Sequence, residues 1–151
     1  MSLSANNVFA EPIKGTNDDD VLQGTNEDDT IKVFGGSDDV IALDGDDKIF
    51  LGPGDDGGEG DDGNDEIRGE GGNDVIVGDD DFLGDGAGSD RLFGGPGDDQ
   101  LLHGSSDEDD TMSDGFKDVL DCGPGDDEAW INQNTDQDVV KNCETVHTES
   151  D

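Results

Sequence analysis

The sequence predicts an all-β fold, a solenoid of short strands and tight turns stacked coil upon coil. Three observations predict it. A nine-residue pattern runs in unbroken register over residues 15–77, and nine is neither a helix period nor simple strand alternation. The sixth position of that pattern is Asp in every frame, and the eighth is apolar in all but one. The other positions are rich in Gly, of which the chain has 25. Each apolar stretch is therefore too short to bury a face alone, and gains a core only by stacking on its neighbours.

In order, the frames read GTNDDDVLQ (15–23), GTNEDDTIK (24–32), VFGGSDDVI (33–41), ALDGDDKIF (42–50), LGPGDDGGE (51–59), GDDGNDEIR (60–68) and GEGGNDVIV (69–77). Their sixth residues are Asp20, Asp29, Asp38, Asp47, Asp56, Asp65 and Asp74. Their eighth residues are Leu22, Ile31, Val40, Ile49, Gly58, Ile67 and Ile76, so Gly58 is the gap in the apolar row. The fourth residue is Gly36, Gly45, Gly54, Gly63 or Gly72 in the later frames, but Asp18 and Glu27 in the first two. Those two carboxylates are expected to face solvent. Thr16 and Thr25 replace the second-position glycine. GDDDFLG (78–84) reads as a frame two residues short, with Leu83 able to take the apolar slot. DGAGSDRLF (85–93) and GGPGDDQLL (94–102) restore the phase, with Gly88, Asp90 and Leu92, then Gly97, Asp99 and Leu101. HGSSDEDDTMS (103–113) does not fit without an insertion, and a bulged loop is expected there. The phase returns at Lys117-Asp118-Val119-Leu120 and in CGPGDDEAW (122–130), with Gly125, Asp127 and Ala129.

Composition sets the chemistry. Asp and Glu number 43 against 7 Lys and Arg, for a formal net charge of −36, and only 28% of residues are hydrophobic. By charge and hydropathy alone, such a chain has too little apolar surface to offset ordering entropy and too much self-repulsion. The sign excludes nucleic acid as a partner, because phosphates would be repelled. It disfavours an anionic membrane surface for the same reason, and it suits cations. Asp projects an oxygen close to the backbone, and Gly lets the chain turn tightly and expose its carbonyls. Together they offer hard oxygen donors, which Ca²⁺ takes roughly six to eight at a time.

GDDGNDEIRGEGGNDVIVG (60–78) and FGGPGDDQLLHG (93–104) resemble the repeats-in-toxin, or hemolysin-type, calcium-binding family, and the resemblance covers residues 15–130. It implies a parallel β-roll. Six residues of each nonapeptide would form a loop and three a strand, with successive strands on opposite sheets. Each Ca²⁺ would sit between a loop and the loop two repeats later. The implied ligands are the carboxylates of Asp20, Asp29, Asp38, Asp47, Asp56, Asp65, Asp74, Asp90, Asp99, Asp118 and Asp127. Backbone carbonyls of the turns would join them, around Gly36, Gly45, Gly54, Gly63, Gly72, Gly88, Gly97 and Gly125. Pairing loops two apart gives roughly six to ten ions. Parallel neighbours sit about 4.8 Å apart. At an effective dielectric of about 20, two unit charges ~5 Å apart cost roughly 3 kcal/mol. Summed over a row, that rivals the whole stability of a domain, of order 10 kcal/mol. Metal binding is therefore expected to be folding free energy.

The chain divides into residues 1–14, a disordered segment or leader remnant, 15–130, the repeats, and 131–151, a cap and tail. Val8-Phe9-Ala10 fits the −3/−1 preference of a signal-peptidase site, although no charged or apolar region precedes it. No stretch approaches the ~18–20 apolar residues of a membrane span. Cys122 and Cys143 are the only cysteines; in a chain read as extracellular, an even count suggests one disulfide, with two free thiols as the alternative. Ala129-Trp130-Ile131 and Asp138-Val139-Val140 read as two final strands, which that bridge would join to close the open end. Trp130 is expected to pack in this cap. His103 and His147 are the only histidines, and no nucleophile elbow, zinc-protease or phosphate-loop motif appears, so no enzymatic activity is expected. The resulting reading is a secreted, calcium-binding repeat protein that folds as it takes up its ions. The alternative is a surface adhesion or ice- and matrix-interaction module, using the calcium-stiffened β-roll as scaffold toward a cell-surface or extracellular-matrix partner.

Overall fold

Gly and Asp in the turn positions let the chain reverse within six residues, and the three that follow are extended. The computed structural model describes residues 12–79, 88–104, 116–132 and 137–149. Among the described residues the strands form two parallel sheets of seven. The first contains β1 (Ile13–Lys14), β3 (Thr30–Lys32), β5 (Lys48–Pro53), β7 (Glu66–Gly71), β9 (Arg91–Phe93), β11 (Val119–Asp121) and β13 (Val139–Lys141), in that spatial order. The second contains β2 (Val21–Gln23), β4 (Asp39–Ile41), β6 (Gly57–Glu59), β8 (Val75–Val77), β10 (Gln100–Leu102), β12 (Glu128–Asn132) and β14 (Thr145–Glu149). The chain alternates between the sheets at every strand. This is a parallel β-roll, and two nonapeptides make one coil.

The register decides how the irregular segments are absorbed. Ile31 pairs with Ile49, and Ile49 with Ile67, one coil apart. Ile67 then pairs with Leu92, not with residue 83. Likewise Ile76 pairs with Leu101. The reading of 78–84 as a short frame that supplies the apolar slot is thereby corrected: Leu92 takes the place in the ladder opposite Ile67, while Gly78 and Asp79 keep the register with Leu102 and His103. Leu83 itself lies outside the described residues. Further on, Leu92 pairs with Leu120 and Leu101 with Ala129, the displacement that an insertion after residue 102 requires. Residues 105–113 of that expected loop lie outside the described residues.

The core is a double row. Eighth-position side chains face inward from both sheets, and Ile31, Val40, Ile49, Ile67, Ile76, Leu92, Leu101, Leu120 and Ala129 are buried. The first position supplies a second row that the periodicity alone did not reveal: Val33, Ala42, Leu51 and Cys122 are buried as well. This row explains the gap at Gly58. A methyl group there would lie 3.0 Å from Leu51 Cδ1 and 3.3 Å from Ile67 Cγ2, so Leu51 already occupies the space.

Charge is divided between the sheets. Six of the seven Lys and Arg, namely Lys14, Lys32, Lys48, Arg68, Arg91 and Lys141, lie on strands of the first sheet, and none lies on the second. Lys32 Nζ sits 5.7 Å from the ring centroids of both Phe34 and Phe50, and the Arg68 guanidinium 4.8 Å from that of Phe93. These contacts hold cations against aromatic faces on an exterior with few other apolar groups.

The C-terminal end differs in detail from the expectation. Cys122 and Cys143 are bonded, with Cα atoms 5.2 Å apart. The bridge does not link the strand of Trp130 to that of Val139. It joins the residue after β11 to the turn after β13, two neighbours in the first sheet. A further strand, β14, follows and pairs with β12, where Trp130 stacks on His147 at 4.5 Å. No helix among the described residues is long and apolar enough to cross a membrane.

Leu51→Ala should cost about 2–5 kcal/mol in denaturant unfolding of calcium-saturated protein. Gly58→Val should cost about 1–3 kcal/mol by overpacking. In the double variant the two losses should fall well short of their sum, whereas simple additivity would show that Leu51 does not fill the Gly58 gap.

Candidate metal centre

Every sixth-position Asp immediately precedes a strand, so the turn delivers its side chain to the same point of each coil. Asp29, Asp38, Asp47, Asp56, Asp65, Asp74, Asp90, Asp99, Asp118 and Asp127 are all buried, and Asp20, in the first frame, is half-buried. The backbone N–H of each donates to Oδ1 of its counterpart one coil later. One edge of the roll runs Asp20 to Asp38, Asp56, Asp74, Asp99 and Asp127, with N···O distances of 2.8–3.0 Å. The other runs Asp29 to Asp47, Asp65, Asp90, Asp118 and Asp138, at 2.6–3.0 Å. At the C-terminal end of the first column, Asp127 donates to Glu144 Oε2 instead, at 3.0 Å.

The second carboxylate oxygen has a different fate. Oδ2 of Asp38, Asp47, Asp56, Asp65, Asp74, Asp99 and Asp127 is buried and accepts no hydrogen bond. A buried anionic oxygen without a donor is strongly unfavourable. Its surroundings are further oxygens. A methyl group on Gly60 would collide with Asp65 Oδ2 and the Gly78 carbonyl, and one on Gly69 with Asp74 Oδ2 and the Gly94 carbonyl. Glycine thus leaves a small cradle bounded by a carboxylate and a carbonyl of the next coil. Hard oxygens converging on a buried point without a proton donor are the donor set of Ca²⁺, so the residues present fit that ion.

The fourth-position glycines serve close stacking. Gly54 lies against the Gly36 carbonyl, Gly72 against that of Gly54, Gly97 against that of Gly72 and Gly125 against that of Gly97. On the other edge Gly63 lies against the Gly45 carbonyl and Gly88 against that of Gly63. A Cβ at Gly72 would overlap that oxygen, and its φ of 130° is itself unsuited to other residues. Asp18 and Glu27 are exposed, and Gly36 and Gly45 pack on their backbones.

Two features of the turns were missed in the sequence. First, Asp20 and Asp29 are satisfied by the protein. Thr16 N and Oγ1 donate to Asp20 Oδ2 at 2.5 and 3.0 Å, and Thr25 N and Oγ1 to Asp29 Oδ2 at 2.7 and 2.9 Å. The Thr at the second position of these frames was the available signal. Second, the fifth position carries a ladder of opposite sense. Asp46 N donates to Asp28 Oδ1, Asn64 N to Asp46 Oδ1, Ser89 N to Asn64 Oδ1, and on the other edge Asn73 N to Asp55 Oδ1 and Asp98 N to Asn73 Oδ1, at 2.9–3.1 Å. Each of those positions is a short side chain with an oxygen acceptor, and that recurrence was the signal.

Neighbouring carboxyls are therefore shifted oppositely. The Asn64 side chain and backbone N–H hold exposed Asp46 below its ordinary value. Burial pushes Asp65 and Asp74 up from 3.8 to about 7, and Asp47 and Asp99 to about 6. The backbone N–H bonds they accept oppose the rise, and neighbouring carboxylates add to it. Asp56 and Asp127 shift upward for the same leading reason.

Comparison with known proteins agrees with this arrangement. The family model described as the RTX calcium-binding nonapeptide repeat (4 copies) matches residues 14–49, 52–82 and 78–107. No curated protein and no solved structure matches the chain.

A pH dependence follows. Without metal, the raised carboxyls keep protons in the folded state that the unfolded chain releases above 3.8. Their contribution is fully present below that value and is lost as pH rises toward 7. In chelator, the β signal in circular dichroism should therefore be stronger at pH 4.5 than at pH 8. Calcium affinity should move oppositely and weaken on acidification through pH 7 to 6, because calcium and protons compete for the same oxygens. A chelated protein more β-structured at pH 8 would contradict the burial of these groups.

Proposed function

The chain belongs to the RTX calcium-binding nonapeptide repeat family, and on that footing we propose that it is a secreted protein whose roll forms as it takes up calcium. The single observation that carries this reading is the set of buried Asp oxygens for which the protein provides no donor. Bound calcium would supply the positive charge those oxygens lack. The residues that would hold it are Asp38, Asp47, Asp56, Asp65, Asp74, Asp90, Asp99 and Asp127, with the carbonyls of the stacked turns. Asp20 and Asp29 already accept donors from Thr16 and Thr25 at Oδ2, so on this reading they depend least on a cation. Loops paired two apart still give a load of roughly six to ten ions.

The physical use is conditional order. At low calcium the charge of −36 keeps the chain expanded, a state suited to export. Millimolar calcium outside the cell then drives folding by mass action. No enzymatic step is assigned, because the buried carboxylates are spent on backbone N–H groups and on metal. An ice-binding face gains no support, since the Thr16 and Thr25 hydroxyls are turned toward carboxylates and do not form a flat array.

Circular dichroism should change from coil to β when millimolar CaCl₂ is added at pH 7.5 and revert with chelator; an unchanged spectrum would sink calcium-driven folding. Calorimetric titration tests the sites themselves. Asp65→Asn keeps the acceptor for the Asp47 N–H but removes a charge, and should lower the calcium stoichiometry. Asp62→Asn, at an exposed position, should leave it unchanged. Equal effects would indicate diffuse charge binding.

A further inference from the structure

We propose that His103, Asp118 and Asp138 form a mixed nitrogen–oxygen metal site, distinct from the all-oxygen turns, for a borderline first-row divalent cation such as Zn²⁺. One ligand atom from each of the three lies within 4.8 Å of the others. His103 Nδ1 stands 3.8 Å from Asp118 Oδ2, with the two side chains 14% and 0% exposed.

The backbone holds all three residues in place. His103 follows β10, Asp118 precedes β11 and Asp138 precedes β13. The His103 N–H donates to the Trp130 carbonyl at 3.2 Å, and its own carbonyl accepts the Asp79 N–H at 3.1 Å. Asp118 Oδ1 accepts the Asp90 N–H at 2.8 Å, and Asp138 Oδ1 accepts the Asp118 N–H at 3.0 Å.

Register shows what is unusual here. Asp61 N–H bonds the Gly78 carbonyl just as Asp79 N–H bonds that of His103, so Gly60, Gly78 and His103 occupy equivalent positions on successive coils. A methyl group on Gly60 would collide with Asp65 Oδ2, and one on Gly78 with Asp90 Oδ2. The corresponding carboxylate for His103 is Asp118. An imidazole therefore stands where the earlier coils keep a glycine, beside the carboxylate that a metal would use. Oxygen donors alone suit Ca²⁺ and Mg²⁺, whereas an added imidazole favours Zn, Cu, Fe or Ni. One histidine and two carboxylates give three protein ligands, with a fourth position left for water. Bonds of about 2.0–2.2 Å bring such ligands closer than they lie here, a contraction that side-chain rotation supplies. The site rests on the calcium reading only in that calcium folds the chain.

The test is a titration of ZnCl₂ into protein saturated with millimolar CaCl₂, followed by calorimetry, with the fold checked by circular dichroism. A single equivalent of zinc should bind with calcium retained. His103→Gln should weaken it by roughly 100-fold or more, since even outer-shell partners cost about 10–100-fold. His147→Gln is the control, because its ring pairs with Glu128 and stacks on Trp130 and is not one of the three clustered ligands. In wild-type protein, zinc should shift the imidazole ¹⁵N resonances of His103 and not those of His147, a readout independent of any variant. Zinc binding unchanged in His103→Gln, lost in His147→Gln, or seen only as displacement of calcium from many turns would overturn the site. A β spectrum without zinc binding would overturn the site alone. A coil spectrum in calcium would count against both readings, since only the roll brings the three residues together.

Discussion

A buried column of carboxylates that the protein only half satisfies is the constraint on which the rest of the roll depends. From Asp38 onward, one oxygen of each sixth-position Asp is tied to the backbone of the preceding coil, which fixes the stacking distance and register. The other points at oxygens. The same side chain thus aligns the coils and opposes their approach until positive charge arrives. Repulsion at a spacing of about 5 Å is a few kcal/mol per pair, and a thin core cannot absorb many such terms. In this member of a calcium-binding repeat family, the residues that fit the ion are therefore the same ones that set the register of the coils.

The ends of the array depart from the repeating pattern, each by a different device. At the start, Thr16 and Thr25 bring hydroxyl and amide donors to the carboxylates that would otherwise require a cation. At the far end, Glu144 replaces Asp as acceptor on one edge, and the Cys122–Cys143 bond ties β11 to β13 on the other. The disulfide closes a loop of about 20 residues and contributes roughly 3 kcal/mol in the chain-entropy model. Both devices act where a coil has a neighbour on one side only and stacking energy is smallest.

Segregation of the cations follows from the same economy. A chain with so few positive side chains gains little by scattering them. Concentrated on the first sheet, Arg68, Arg91 and Lys48 converge on Glu66 and hold its carboxyl below its ordinary value, with the Arg68 hydrogen bond the largest contribution. The second sheet carries no cation on its strands and leaves neutral and acidic groups outside. Of the seven Lys and Arg, only Lys117 lies in a turn, next to Asp118.

Much of this was legible in residue order. Period, strand positions, the sixth-position Asp and the eighth-position apolar row follow from the nine-residue register, because strand alternation and turn chemistry are local. The extra residues that separate Leu101 from its partner Ala129 were legible for the same reason, as a loss of phase. The extra residues that separate Ile67 from its partner were not, because Leu83 satisfies the local pattern and only the register across coils shows that Leu92 is that partner. The first-position core row, the Thr caps, the opposed fifth-position ladder and the meeting of His103 with Asp118 and Asp138 were decided by tertiary structure alone. Each joins residues from different turns or different coils, or depends on which way a turn residue faces, and nothing in a single nonapeptide specifies what lies above it. Sequence by itself determined the repeating unit and its appetite for cations; stacking decided which oxygens are satisfied by protein and which are left for metal, because a donor one coil away becomes a neighbour only once the coils close.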